Sequence, residues 1–525
     1  MLQPEQKSSP NVLFIITDQQ RADNNGFMGN EVLRTPNLDK IAGEGMVFRN
    51  AWVSNPVCMP NRSSIMTGRM PTAHGVIFNE RSLDWGSNTF VRRFKKSGYQ
   101  TALIGKSHLQ HGMSKNSIVA ARGEGVSRNA YPAGWDTIED FERYLENDFE
   151  DPSDFYGFSK IELSIDHGAR ASGHHLRWAL ENGANLEDMF VDYSVEAPGK
   201  HRSKNWWQIY EPPYAPEFHS TNFVTQRTIE FVEKSHAGNK PWLAWCSFPD
   251  PHHPMTPPGE WFHRHKPEDM RLPESRHDPL TDAPAHLQQI RKIHPQDQRN
   301  WVAPCGFGSD ELLAEAMAAT YGMVEMIDDG VGQILSTLSR LGIEDDTIIV
   351  FTSDHGDMMG DHGLFLKGFM NYRGTLQVPM VISAPGKEAG NSQSLASSID
   401  LGPTLLDLCD IKGYDGIQGK SLCPILDDGS QRVRDCVLIE DDIPGITAKL
   451  TSFPAKTRTL ITDEYRISRN SKREEQLYNL LTDPNEMKSL VASEPVTRAM
   501  MMERLTDALI DADDTARGAP VTELQ

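Results

Sequence analysis

The chain predicts an α/β fold with a large mixed, mostly parallel sheet flanked by helices, followed by a smaller C-terminal part. Three observations carry that prediction. Strand and helix patterns alternate through most of the N-terminal part. The first apolar run, Val12-Leu13-Phe14-Ile15-Ile16, is short and unbroken, as a core strand is. At 525 residues the chain exceeds what one core holds, since single cores stop growing near roughly 250 to 300 residues.

Taken in order, residues 12–17 read as a buried strand, and 38–44 and 88–97 are helical in pattern. Residues 101–104 and 242–248 read as further strands. Between them, 112–216 weakens into Gly-, Asp- and aromatic-rich sequence with His167, His174 and His175 scattered through it. This loop-rich insertion is expected over one sheet edge, helping to form a substrate mouth. Residues 312–341 repeat Met323, Met326, Ile327, Val331, Ile334, Leu335 and Leu338 at helical spacing, most simply as core. Residues 347–352 and 378–383 complete the strands. The main domain is therefore placed at 1–435 and the smaller one at 436–525, where Leu-Ile and Thr-rich strand patterns precede a helical run at 496–512.

Lys plus Arg number 52 and Asp plus Glu 73, a net charge of -21. That argues against nucleic acid as a partner, which would require a basic footprint. The six cysteines, Cys58, Cys246, Cys305, Cys409, Cys423 and Cys436, lie far apart and suggest neither a disulfide framework nor a zinc site. The polar stretch 1–10 runs straight into the first strand, which is too short for a signal peptide. Nothing approaches the roughly 18 apolar residues of a membrane span. A soluble, cytoplasmic protein without membrane association is expected.

Cys58 lies in Val57-Cys58-Met59-Pro60-Asn61-Arg62-Ser63-Ser64. An ordinary free cysteine is a small buried hydrophobe. A thiolate phosphatase is excluded by spacing: its phosphate cradle needs a longer, glycine-containing loop of backbone N–H groups, whereas Met-Pro-Asn includes a proline that has none to give. Acidic groups end two of the strands, Asp18 after the first and Asp354-His355 after Thr352-Ser353. Ligands bind outside the carboxyl ends of strands in open α/β sheets. Two carboxylates and an imidazole meeting there would hold a divalent cation, Ca²⁺ or Mn²⁺, with the histidine tilting toward Mn²⁺. Either acidic motif alone reads equally as a turn or helix cap. The pair His263-x-His265, flanked by Pro257, Pro258 and Pro267, reads as surface loop in preference to metal ligands.

The Cys-x-Pro-x-Arg run, continued by Ser-Ile-Met-Thr67-Gly68-Arg69, resembles the signature of the type I formylglycine-dependent sulfatases within the alkaline phosphatase superfamily. Further matches are Thr35-Pro36-Asn37-Leu38-Asp39, Gly105-Lys106-Ser107-His108, Pro251-His252-His253-Pro254, Ser353-Asp354-His355-Gly356-Asp357, Lys367 and its preceding Gly363-Leu-Phe-Leu, and Leu477-Tyr478-Asn479-Leu480. The resemblance spans roughly residues 11–490. It implies an alkaline phosphatase-like sheet and a C-terminal α+β domain with an antiparallel sheet. It also implies that Cys58 is converted to formylglycine (3-oxoalanine) by a formylglycine-generating enzyme, and that the aldehyde hydrate is the nucleophile.

Carried over by position, Asp18, Cys58, Asp354 and His355 would hold one divalent metal ion, and Arg62 would support the formylglycine. Lys106, His108, His252 and Lys367 would surround the sulfate and leaving-group oxygens, with His252 or Lys367 as general acid. Asn79 and His253 are candidate substrate contacts. The implied reaction is hydrolysis of aryl or alkyl sulfate monoesters. The alternative is phosphonate monoester or phosphodiester hydrolysis at the same site.

Departures bear on substrate class. Asp18-Gln19 and Asp354-His355 stand where many sulfatases have Asp-Asp and Asp-Asn, which resembles the branch of choline sulfatases, some bacterial arylsulfatases and phosphonate monoester hydrolases. Fewer carboxylates near the metal favour promiscuity. Lys106 and His108 replace the Tyr and Thr typical of phosphonate monoester hydrolases and lean toward sulfate. Asn61 stands where the commonest signature has Ser. A homo-oligomer, dimer or tetramer, is expected.

Overall fold

A computed structural model of the chain describes residues 9–79, 81–111, 134–145, 150–189, 199–297 and 304–513. Its strands are β1 (Asn11–Thr17), β2 (Met46–Trp52), β3 (Gln100–Gly105), β4 (Lys160–Leu163), β5 (Trp242–Ser247), β6 (Cys305–Gly306), β7 (Thr347–Ser353), β8 (Leu364–Phe365), β9 (Met380–Ser383), β10 (Gly390–Ser397), β11 (Val437–Asp442), β12 (Lys456–Ile461), β13 (Tyr465–Asn470) and β14 (Glu475–Asn479). Eight of them form one sheet in the order β10-β2-β9-β7-β1-β5-β3-β4. β9 pairs antiparallel with both its neighbours and every other pairing in this sheet is parallel, which bears out the mixed, mostly parallel sheet.

Alternation of side chains across β1 explains why the strand reads as continuously apolar: both of its faces are covered. Val12, Phe14 and Ile16 enter one cluster with Phe90, Met59 and Trp245. Leu13 and Ile15 enter the other, beneath Phe223, Val224, Ile327, Val331 and Ile334 of the helices Ser220–Ala237 and Asp310–Leu341. Phe14 stacks on Trp245 with ring centroids 4.3 Å apart. Burial of a side chain of this size contributes about 1.5–3 kcal/mol. The long helix Asp310–Leu341 starts where the Ser309 hydroxyl accepts from Leu312 N and stops at Gly342 in the left-handed region.

The C-terminal sheet is antiparallel in the order β11-β12-β13-β14, and the helix Pro495–Asp511 covers it through Met501 and Leu505. Its edge strand β11 docks on the main domain, where Glu440 N donates to Ser54 O and Asn55 Nδ2 to Glu440 O.

Three strands of the main sheet, β2, β4 and β10, escaped the sequence pattern, as did the two-residue strands β6 and β8. β10, Gly-Asn-Ser-Gln-Ser-Leu-Ala-Ser, is an edge strand whose outer positions are polar. The expected strand at 378–383 starts two residues later, at Met380. The insertion 112–216 is not loop throughout, since β4 adds a strand to the sheet edge and His174–Glu181 forms a helix. Its residues 112–133, 146–149 and 190–198 lie outside the described residues. Among the described residues no helix is long and apolar enough to cross a membrane.

Candidate active site

Four neighbouring strands, β7, β1, β5 and β3, deliver their carboxyl ends to one place. The parallel register aligns Thr17 with Ser353, Ile16 with Ser247, and Gly105 with Ser247. The residues that follow are Asp354 and His355, Asp18, then Asp250 to His253, and Lys106. A one-residue slip of any strand would turn its terminal group to the opposite face. Cys58 opens the helix Cys58–Thr67, all ten residues of which are buried, and Lys367 follows β8.

The groups meet within bonding distance. Cys58 Sγ lies 3.1 Å from His355 Nε2, 2.9 Å from Lys367 Nζ and 3.8 Å from Asp18 Oδ1. Arg62, one helical turn on, donates from Nε to Asp354 Oδ2 at 2.6 Å and from Nη1 to Ser247 Oγ at 2.9 Å, while its Nη2 is 3.4 Å from Asp18 Oδ2. Lys106 Nζ pairs with Asp18 and also meets His167 Nε2. Asn61 is structural: Nδ2 donates to Asp354 O, and Oδ1 accepts from Ser54 N, Ser54 Oγ and Ser398 Oγ.

The histidines form a stack beside this core. His252 lies against His167 (centroids 3.9 Å) and against His253 (4.0 Å). Gln19, at a φ of 65°, carries its side-chain amide to His253 Nδ1 at 3.0 Å and to the Asp357 carboxylate, while its backbone N donates to Asp354 Oδ1 at 3.1 Å. His253 is thus held by Gln19. His108, at a φ of 56°, is the partly exposed member of the set, and its turn is fixed by Glu139, which accepts from the N–H groups of His108, Leu109 and Gln110 at 2.8–2.9 Å. Asn79 stands at the start of the helix Cys58–Thr67, its Oδ1 accepting from Met59 N at 3.2 Å.

Charge is distributed in favour of an anion. Arg62, Lys106 and Lys367 face two carboxylates, Asp18 and Asp354, making a cationic pocket in an acidic chain. Burial raises the Asp18 pKa, but Lys106, Lys367, Arg62 and His355 outweigh it and hold the carboxyl well below its ordinary value. Burial and Asp18 push the Cys58 thiol up, yet Lys367, Lys106 and His355 bring it below its usual range. Burial lowers Lys367, whereas Cys58, Asp18 and Asp354 raise it further, so it stays protonated. His108 and His167 are driven well below their ordinary value by burial and then Lys106, and His252 by burial and then His167. All three imidazoles are therefore neutral near pH 7.

Asp18, Cys58, Asp354 and His355 each offer one donor atom, and the four lie within 4.8 Å of one another. His355 Nδ1 donates to Gly356 O at 2.8 Å, which leaves Nε2 as the ligating nitrogen, and Arg62 orients the outer oxygens of both carboxylates. The donor set fits a divalent cation.

Sequence reading missed His167. It sits in weakly patterned sequence with no motif to mark it, and only the fold stacks it on His252. A cleft of about 710 Å³ lined by Arg21, Asp361, Arg373 and Glu486 contains none of the candidate groups.

The chain is similar to known proteins along most of its length. The Sulfatase family profile matches residues 10–411, and the C-terminal profile of N-sulphoglucosamine sulphohydrolase matches 360–514. An arylsulfatase of Clostridium perfringens is 30% identical, with 98% of this chain and 99% of that protein aligned. A choline-sulfatase of Rhizobium meliloti is 27% identical over 94% of this chain and 85% of that protein. The crystal structure of a phosphonate monoester hydrolase of Agrobacterium radiobacter superimposes with a TM-score of 0.76 at 24% identity, covering 98% of both chains, and so shares the fold.

Proposed function

Since this chain belongs to the sulfatase family, we propose that it hydrolyses aryl or alkyl sulfate monoesters to a phenol or alcohol and sulfate. The observation that carries the reading is Cys58 at the start of a buried helix, 2.9 Å from Lys367 Nζ and 3.1 Å from His355 Nε2, beside two strand-end carboxylates.

Asp18, Asp354, His355 and the side chain at 58 would hold one divalent cation, Ca²⁺ or Mn²⁺. Conversion of Cys58 to formylglycine by a generating enzyme would supply a hydrated aldehyde as nucleophile, and the cation a Lewis acid. The chain's own residues do the rest. Arg62 fixes both carboxylates. Lys106 and Lys367 oppose the negative charge on the sulfate oxygens, which in a buried site counts for more than in water. Lys367, whose Nζ lies 3.7 Å from Asp18 Oδ1, suits donation of a proton to the leaving oxygen. His252 donates its Nδ1–H to His253 O, which leaves Nε2 as a lone-pair nitrogen suited to taking a proton. Arg62, Lys106, His252 and Lys367 are all buried, which keeps bulk water from them.

Asn79 and His253 act as positioning residues in this reading, through Met59 N and through Gln19. The same site serving phosphonate monoesters or phosphodiesters is the second reading, favoured by Gln19, an uncharged amide engaged by His253 and Asp357 where many sulfatases have a carboxylate. A homo-oligomer in the cytoplasm completes the proposal. The six free thiols suit a reducing compartment.

Turnover of 4-nitrophenyl sulfate against phenyl phosphonate monoesters by purified, metal-replete enzyme tests the reading. Faster hydrolysis of the phosphonate reverses the assignment. The mass of the Cys58 peptide tests the nucleophile, since formylglycine is roughly 18 Da lighter than cysteine by the atoms replaced.

A further inference from the structure

A second group of metal-ligating side chains stands apart from this site. His201, Glu211 and His263 each offer one ligand atom, and these atoms lie within 4.8 Å of one another. Glu211 Oε2 is 3.6 Å from His201 Nε2 and 3.5 Å from His263 Nε2. Bonds of about 2.0–2.2 Å around a tetrahedral zinc ion set neighbouring ligand atoms roughly 3.3 Å apart. Both separations are therefore already close to a coordination edge.

The backbone explains the convergence. Lys200 and Glu211 exchange two hydrogen bonds, 2.7 and 3.0 Å, as an antiparallel bridge, so His201 emerges next to Glu211. His201 holds a φ of 46°, a left-handed conformation that a residue with a side chain adopts at some cost. From the other side, His263 brings its ring edge-on to His201, with centroids 4.8 Å apart. The Glu211 side chain is 10% exposed, whereas those of His201 and His263 are 61% and 55% exposed. An anchored carboxylate thus sits under two imidazoles that solvent reaches. His265 is separately engaged, its Nε2 2.9 Å from Glu325 Oε1, so the pair His263-x-His265 is split between two tasks.

We propose that His201, Glu211 and His263 form a binding site for a late first-row divalent cation, Zn²⁺ foremost, with water as the remaining ligand. Two imidazoles and one carboxylate suit Zn²⁺, Co²⁺ or Ni²⁺ and disfavour the oxygen-seeking Ca²⁺ and Mg²⁺. The ion would tie the segment 199–211 to the loop carrying His263. That segment is joined to the active-site loop, for Met255 N donates to Gln208 O at 2.8 Å and Tyr210 N to Met255 O, two residues beyond His253. Cation binding would therefore brace the wall next to the histidine stack. The site stands independently of the reaction assigned to Cys58.

The test is a Zn²⁺ titration by calorimetry of enzyme kept replete with Ca²⁺, with Ca²⁺ retention followed by elemental analysis. One Zn²⁺ per chain should bind without release of Ca²⁺. Affinity should fall by about tenfold or more in H201A/H263A and in E211Q. Zn²⁺ should raise the melting midpoint of the parent and leave that of the variants unmoved. Should the double variant fail to fold, H263A alone, at an exposed position, serves the same comparison. Absence of Zn²⁺ binding by the parent, or unchanged affinity and stoichiometry in the folded variants, overturns the site.

Discussion

Two regions of this protein carry chemistry in different ways: the carboxyl edge of the main sheet, and the irregular segments packed over it between residues 134 and 263. At the sheet edge each group follows a strand whose register is fixed on both sides, so Asp18, Lys106 and Asp354 are positioned by backbone pairing before any side-chain contact forms. In the overlying segments His167, His201 and Glu211 are positioned by ring stacking, single bridges and turns. The difference teaches that the edge should govern the chemical step, and the overlay its access and support.

Cys58→Ala breaks the edge most severely. Loss of the nucleophile should lower kcat by about 10⁴-fold or more with the melting midpoint near that of the parent, since a small buried side chain is replaced by another. Steady-state kinetics and a thermal melt check both halves. Lys367→Ala comes next, at about 10²–10⁴-fold in kcat, and should hurt alkyl sulfates more than 4-nitrophenyl sulfate, whose leaving group needs no proton. Equal losses on both substrates would remove Lys367 from the role of acid.

His167→Ala probes the overlay, where about tenfold is expected and KM should rise more than kcat falls. A kcat loss as large as that of Lys367→Ala would erase the distinction between the regions. The mildest effect is on metal retention. Burial and Lys367 lower His355, but Asp354 and Cys58 raise it beyond them, so its pKa lies above the ordinary value near 6.5. Protons then compete for Nε2 as pH falls through that raised value. The affinity for the metal, titrated by calorimetry across pH, should be level on the alkaline side of that value and weaken as pH falls below it, and an affinity independent of pH down to 5 would remove His355 from the ligand set.

The same contrast explains what could be read from the sequence. Asp18, Cys58, Arg62, Lys106, Asp354, His355 and Lys367 lie in short motifs beside strand or helix ends, and the fold brings them together within bonding distance. His167 belongs to no motif, because its partner His252 lies 85 residues away and the stack depends on tertiary packing. Gln19 was visible as a departure from a familiar pattern, but its turn toward His253 depends on a backbone conformation that no spacing encodes. β2 and β10 escaped for a related reason: Arg49 and Asn50 interrupt one, while Asn391 and Gln393 interrupt the other at the sheet margin, where one side meets solvent.

The complete enclosure of the helix Cys58–Thr67 bears on when the proposed conversion of Cys58 could take place. Residues 58–67 are all buried, packed against the segments Ser398–Asp400, Leu401–Leu408 and Pro71–His74, and Cys58 is 1% exposed. If Cys58 is converted as proposed, a modifying enzyme that must reach its side chain has no access once this helix is seated. Conversion would then compete with folding: a chain that closed first would remain a thiol until it opened again, and the active fraction of a preparation would record which event won.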